Sequence, residues 1–269
     1  MTKEQSAEQK EKQLLDWFGG FNSAMVAYSG GVDSTYVLYA AERVFGERAL
    51  GVSSFSETVP QIQKDYALEN ARIIGARYEI IQTNEMQKDE FLQNNSDRCF
   101  HCKDELYGVL RQKAVDLNFS VIVDGTNADD LSDFRPGRKA ADLHGVRSPL
   151  VEIGMTKEEI RIRSRLAGLT TWNIPASACL SSRIPHQTRI TLDKLQTVEQ
   201  GEDYLRSLGF RQVRVRHHDQ IVRIEIAPEE MPRVWNEDLL SKIAAQFKTL
   251  GFKFVTLDLE GYRSGSLNT

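Results

Sequence analysis

The sequence predicts an α/β protein, a parallel sheet flanked by helices in a Rossmann-like arrangement, followed by a smaller C-terminal α+β domain. A short apolar run at 24–28 breaks into Ser29-Gly30-Gly31-Val32-Asp33-Ser34 and then into a helix-periodic segment with Val37, Ala41 and Val44 on one face. Apolar runs and amphipathic segments alternate from there to about residue 170, the pattern of strands joined by helical crossovers. Past Thr170 the alternation gives way to helix, hairpin, helix and strand. A chain of 269 residues can bury two cores, and the expected boundary divides 1–175 from 176–269.

Residues 3–18 read as an amphipathic packing helix with Leu14, Leu15 and Phe18 on one side. In the next stretch, two glycines let the backbone turn tightly, so that N–H groups and a helix N-terminus converge on one spot that favours a phosphate. The Ser29 and Ser34 hydroxyls add donors. A Walker A loop would carry a Lys after its second Gly and a dinucleotide fingerprint three spaced glycines, and neither is present. A plain glycine–serine turn is the alternative. The order SGGxDS resembles the PP-loop ATP pyrophosphatases, which cleave ATP between the α and β phosphates and adenylylate an oxygen of the substrate.

The run at 49–55 is the second strand, and its polar end makes Ser53 and Ser54 candidates for the wall beside adenosine, by analogy with nucleotide-binding sheets. Pro60 opens a helix to about Gly75, and 78–81 is the third strand. Residues 120–127 form a buried strand that breaks into Asp124, Gly125, Thr126 and Asn127, followed at once by Asp129 and Asp130. Carboxylates there suit a magnesium–pyrophosphate, with Gly125 and Asp129 the expected contacts; a solvated Asp-rich turn is the alternative. Residues 133–139 place Arg135, Arg138 and Lys139 in a loop, to grip an anion or to stay at the surface. Thr156 to Glu159 has capping-box spacing and opens a helix to about Leu169.

In the second domain, residues 191–208 read as a helix ended by Gly209, and the alternating runs 211–216 and 221–226 as a hairpin turned at His218-Asp219. A helix from about Glu229 to Leu250 and a strand over 252–259 complete it. Arg214 and Arg216 share a strand face and can bracket one phosphate, with Arg206, Arg211 and Arg223 nearby, or can simply line a solvated face.

A net charge of −4 excludes a generic nucleic-acid binder. A charged N-terminus without an apolar centre, and no long apolar run, point to a cytoplasmic protein. Three cysteines in that setting argue for metal binding or catalysis. Cys99 and Cys102 form a CxxC read as lying just ahead of a helix that begins near Lys103, and Cys179 sits in a separate loop. The helix dipole and Lys103 favour the thiolates. A redox dithiol, a structural zinc with His101, His186 or a more distant His as fourth ligand, and a 4Fe-4S cluster with one open iron all suit three such thiolates.

SGGVDS, DGTNADD (124–130), FRPGRKA (134–140), SACLSSRIP (177–185), LRSLGF (205–210), VRVRHH (213–218) and FVTLDLEGYRSG (254–265), in this order, resemble the LarE family, PP-loop sulfur transferases of nickel-pincer nucleotide biosynthesis. The likeness runs from about residue 20 to the C-terminus. It implies adenylylation by ATP, with Mg2+, of a carboxylate on pyridinium dicarboxylic acid mononucleotide, then replacement of AMP by sulfur from a sulfide donor, twice over. Ser29, Gly30, Gly31, Asp33 and Ser34 would hold ATP, while Lys103, Ser182 and Arg183 match positions lining the active site. Glu202, Arg214 and Arg216 match the substrate-phosphate site at a subunit junction, so a homo-oligomer, a hexamer or trimer of dimers, is implied. Some members carry a single cysteine near the position of Cys179 and sacrifice its sulfur. This chain instead resembles the three-cysteine branch, in which Cys99, Cys102 and Cys179 hold a 4Fe-4S cluster whose open iron binds hydrosulfide. A PP-loop tRNA thiolase and a zinc-stabilised nucleotide-binding module are the competing readings.

Overall fold

A computed structural model of the chain describes residues 2–132, 136–175 and 178–263. Its elements in order are α1 (Lys3–Phe18), β1 (Ala24–Ala27), α2 (Val32–Phe45), β2 (Ala49–Ser54), α3 (Gln61–Ile74), β3 (Arg77–Ile81), α4 (Asp89–Leu92), α5 (Arg98–Asp116), β4 (Val121–Val123), α6 (Gly137–His144), α7 (Pro149–Glu152), α8 (Lys157–Leu166), α9 (Leu192–Ser207), β5 (Val213–His218), β6 (Ile221–Ile226), α10 (Glu237–Thr249) and β7 (Phe254–Leu257). They form two units, one of Met1–Lys88 with Asp97–Ser177, the other of Asp89–Ser96 with Ala178–Thr269.

The first unit holds a wholly parallel sheet in the order β3-β2-β1-β4. Parallel strands need crossovers, and helices on both faces bury both sides of each strand, which is why β1 and β4 are apolar almost throughout. Alternate side chains serve opposite cores: Ala24 and Val26 face α1, α2 and α8, whereas Met25 with Leu50, Val52 and Ile122 meets α5 and α6. The chain adds β2 and β3 on one side of β1 and then returns to add β4 on the other. That reversal opens a crevice at the carboxyl ends of β1 and β4, where α/β sheets bind ligands. The loops at 29–34 and 124–130 both start there.

The second unit has a three-stranded sheet in the order β5-β6-β7, antiparallel then parallel. Helix α9 lies close on β5 because Gly201 brings no side chain: a Cβ there would meet Phe247 at 2.7 Å and Val215 at 3.3 Å. Asp89–Ser96 is tied into this unit by Asn94, a buried residue at φ +57° whose amide donates to the carbonyls of Ile184 (3.1 Å), Pro185 (2.8 Å) and Thr188 (3.1 Å).

Three boundaries differ from expectation. Helix α5 begins at Arg98, so Cys99 and Cys102 lie in its first turns rather than ahead of it. The long helix expected from Glu229 is broken: Met231–Val234 is a 3-10 turn that contains Pro232, and α10 starts afresh at Glu237 with the Asn236 side chain accepting from Leu239 N at 2.9 Å. The last strand covers Phe254–Leu257 alone.

Gly30 is the tightest backbone position in the first loop. Its φ is +73°, and a Cβ would come within 2.8 Å of Ala67 Cβ and 2.9 Å of Gln63 O. Gly30→Ala is therefore expected to cost at least about 2 kcal/mol, from left-handed strain together with overpacking. Urea unfolding checks this, and an unchanged midpoint would contradict it.

Candidate active site

The turn after β1 is built by its own hydroxyls. Ser34 Oγ accepts from Ser29 N at 3.1 Å, lies 2.9 Å from Ser29 Oγ and donates to Gly31 O at 3.2 Å. Gly31, extended at φ −77°, caps α2 without a side-chain hydrogen bond. No capping side chain covers the first N–H groups of α2, which leaves this N-terminus suited to an anion. Gly125 closes the other wall: a Cβ there would meet Ser34 N at 2.6 Å and Ser34 Cα at 2.8 Å, so the turn after β4 lies directly on the start of α2. Ser53 donates to Tyr28 O, immediately before the loop, and Ser54 shares a 2.5 Å hydrogen bond with Thr83.

Asp33 stands in the first turn of α2. Its Oδ2 is ion-paired with Lys157 Nζ, and its buried Oδ1 has no hydrogen-bond partner among the described residues. Burial pushes its carboxyl up; Lys157 opposes this and the charge of Asp130 reinforces it. Asp129 Oδ2 accepts from the backbone N of Lys157 at 2.8 Å, while Asp130 Oδ2 accepts from Asn127 N at 3.1 Å. Lys157 thus joins both carboxylate-bearing turns. From sequence it reads as a position inside a capping box, which it also is: Thr156 and Glu159 exchange the two capping hydrogen bonds.

Asp124 is a buried hub. Its oxygens accept from Tyr107 Oη (2.9 Å), Thr126 N (3.1 Å), Thr126 Oγ1 (2.8 Å) and Ser148 Oγ (2.7 Å), and Lys103 Nζ lies 3.7 Å away. Burial alone would raise this carboxyl, but Lys103, Ser148 and Thr126 hold it below the usual range. Lys103 also donates to Tyr107 Oη at 2.9 Å, and although burial opposes it, Tyr107 and Asp124 keep the ammonium protonated. Cys99 and Cys102, spaced three residues apart, share a side of the first turns of α5, exposed and half-buried respectively. Of the run at 134–140, Phe134 and Arg135 lie outside the described residues, while Arg138 and Lys139 are exposed on α6. The ends of the motifs at 177 and 264–265 lie outside them too.

In the second unit, Arg183 is buried and organises the Cys179 loop. Its Nη1 donates to the carbonyls of Ala178 (2.6 Å) and Cys179 (3.0 Å) and to Ser182 Oγ (3.0 Å), while Nε and Nη2 grip Glu202 at 2.8 and 3.1 Å. Glu202 accepts further from Arg206 (2.7 Å) and from Val215 N (3.3 Å). Arg214 and Arg216 are buried on β5, not solvated. Arg216 forks onto Glu225 at 2.9 and 2.7 Å and reaches Ser182 O at 3.0 Å. Arg214 stacks on Tyr262 with its guanidinium carbon 4.9 Å from the ring centre; burial, together with the charge of Arg183, depresses its pKa to about 10. A cation held against burial and a like charge marks a place that favours an anion.

Among the described residues no group of three or more His, Cys, Asp or Glu side chains is placed to hold one metal ion. Nor is any helix among them long and apolar enough to cross a membrane.

No family model matches the chain. It is 37% identical over 262 residues to a protein of Lactiplantibacillus plantarum named pyridinium-3,5-bisthiocarboxylic acid mononucleotide synthase, covering 96% of this chain and 94% of that one. It is 43% identical over 261 residues to an uncharacterized Synechocystis protein, covering 97% of each, and 30% identical over 241 residues to an uncharacterized Methanocaldococcus jannaschii protein, covering 89% of this chain and 90% of the other.

Glu202 offers a direct test of the second unit's charge network. Burial would raise its carboxyl, but Arg183, then Arg214 and Arg206, hold it below the ordinary range. Its stabilising contribution is therefore complete above the unfolded pKa of about 4.3 and is lost as pH falls from there through the folded value. Glu202→Gln leaves a buried guanidinium without its carboxylate, at a cost of about 3 to 5 kcal/mol. Thermal melts from pH 7 to pH 3 should show the deficit at neutral pH and its narrowing in acid; a pH-independent difference would contradict the depressed carboxyl.

Proposed function

The chain belongs to the LarE family, and from that premise we propose that it is an ATP-dependent sulfur transferase that converts carboxylates of a pyridinium dicarboxylic acid mononucleotide to thiocarboxylates. The observation that carries this reading is the cradle formed by Ser29–Ser34 and Gly125 at the start of α2, where a leaving pyrophosphate would accept backbone hydrogen bonds. A substrate carboxylate oxygen attacks the α-phosphorus of ATP, the bond to the β-phosphate oxygen breaks and pyrophosphate leaves. Sulfide sulfur then attacks the acyl carbon, and AMP departs with the carboxylate oxygen. Two rounds give the dithio product.

Magnesium bound with nucleotide phosphates needs one or two protein carboxylates. Asp33, whose Oδ1 has no hydrogen-bond partner among the described residues, fits that need, with Asp129 beside it on the shared lysine. Lys103, kept cationic next to the cysteine-bearing turn, suits the stabilisation of anionic sulfur or of the acyl adenylate. Arg214, Arg216 and Glu202 are the proposed substrate-phosphate site, supported by the burial of both arginines on β5 and by the lowered pKa of Arg214. The family's subunit-junction site makes a homo-oligomer part of the proposal.

Three thiolates, Cys99, Cys102 and Cys179, are the proposed holders of a 4Fe-4S cluster, which would present sulfide sulfur to the acyl adenylate. The CxxC on one helix turn would supply two of the donors and Cys179, in the second unit, the third, thiolates being the donor type such clusters take. Sacrifice of the Cys179 sulfur is the second reading, favoured by the placement of that cysteine in a loop tied by Arg183.

Ser34→Ala is expected to slow pyrophosphate release on the order of 100-fold, the scale of losing one transition-state donor; unchanged release would remove the loop from the chemistry. Iron and acid-labile sulfide in anaerobic protein should disappear with any one of Cys99→Ala, Cys102→Ala or Cys179→Ala. Dehydroalanine at position 179 in iron-free, active protein would establish the sacrificial route instead.

A further inference from the structure

The phosphate loop carries no lysine, although a departing pyrophosphate concentrates negative charge that such sites usually meet with a cation. Lys157 brings one from α8, 124 residues further along the chain, with Nζ in an ion pair with Asp33 Oδ2. Its main chain is pinned independently, by the capping box at Thr156 and Glu159 and by its own N–H on Asp129 Oδ2 at 2.8 Å. We propose that Lys157 is the phosphate-contacting lysine of this site: Asp33 holds its ammonium beside the start of α2 in the nucleotide-free protein, and ATP draws it onto the β and γ phosphates. Asp33 is then released to the accompanying divalent cation. The inference rests on the ATP reading above.

Two neighbouring facts favour Lys157 over the other cation of α8 near Asp33. Arg161 is occupied, its two terminal nitrogens donating to Trp172 O at 2.5 Å and to Ile174 O at 2.9 Å. The Lys157 side chain is 31% exposed, so its ammonium is reachable by an incoming ligand. A lysine that trades one carboxylate for a polyphosphate gains the more highly charged partner, and the exchange needs rotation about side-chain bonds alone, since the backbone of 156–159 stays capped.

Lysine acylation of the unmodified protein, read residue by residue by mass spectrometry, gives a test without a variant. Pyrophosphate should protect Lys157 at least about fivefold and AMP, which lacks the β and γ phosphates, less than about twofold. By calorimetry Lys157→Met should weaken pyrophosphate binding at least about tenfold, the worth of one charge-assisted contact, and Lys157→Arg should restore it to within about threefold. The double variant Asp33→Asn with Lys157→Met separates contact from counter-ion: a direct contact leaves it weak. Equal protection by AMP, unchanged affinity in Lys157→Met, or wild-type affinity in the double variant would overturn the assignment. A wild-type protein that binds neither ATP nor pyrophosphate overturns the ATP reading, and this inference with it.

Discussion

The chemistry proposed for the first unit depends on one backbone approach, that of Gly125 to the amide of Ser34. No side chain fits between them, since a Cβ would sit 2.6 Å from the Ser34 nitrogen. The approach presses the turn after β4 onto the first turn of α2, and the consequences spread along both chains. Asp124, the residue before Gly125, is brought to Tyr107 and Lys103, so the cysteine-bearing helix is tied to the same turn as the loop at 29–34. Asp130, a few residues after it, enters the surroundings of Asp33, where its charge and that of Lys157 are felt, while Asp129 accepts from the backbone N of Lys157. A strand order that reverses at β1 makes such an approach possible, because the turns leaving two adjacent parallel strands emerge on the same edge.

The second unit is organised by buried charge rather than by close backbone contact. Glu202 receives Arg183, Arg206 and the Val215 amide, and Glu225 receives Arg216 and Arg223. Buried ion pairs of this kind contribute less to net stability than their geometry suggests, because both partners are stripped of water. They do fix arrangement. Arg183 turns that fixity to use by donating to the carbonyls of Ala178 and Cys179 while its other edge is held by Glu202, so the cysteine loop takes its shape from a carboxylate on α9. Burial and the charges of Arg183 and Arg216 depress the Arg214 pKa against the opposing pull of Glu202, and a phosphate dianion would add to that pull.

Much of this was legible in the sequence, and the illegible part has a common cause. Strands buried on both faces show as short apolar runs, and the paired glycines of 29–34 announce a tight turn before a helix, since the left-handed φ of Gly30 suits glycine. What periodicity does not carry is contact between residues far apart in the chain. Lys157 looks local because its capping box is local, yet its side chain acts on Asp33. Asn94 lies in a polar stretch with no pattern, and its three carbonyl partners are some ninety residues away. Helix α5 starts earlier than expected: Asp97 is a residue type that caps helices, but its side chain makes no cap and lies 3.4 Å from His101 Nε2 instead. The break before α10 could have been read from Pro232 and from Asn236, a capping residue followed by acidic ones.

The most direct test of the account follows an oxygen atom. If the loop at 29–34 serves adenylylation of a carboxylate, a pyridinium dicarboxylate mononucleotide prepared with heavy oxygen in its carboxylates, incubated with ATP and sulfide under anaerobic conditions, should give AMP carrying one heavy oxygen for each thiocarboxylate formed, with pyrophosphate unlabelled. AMP without the label, or ADP and phosphate in place of AMP and pyrophosphate, would contradict carboxylate activation at this loop.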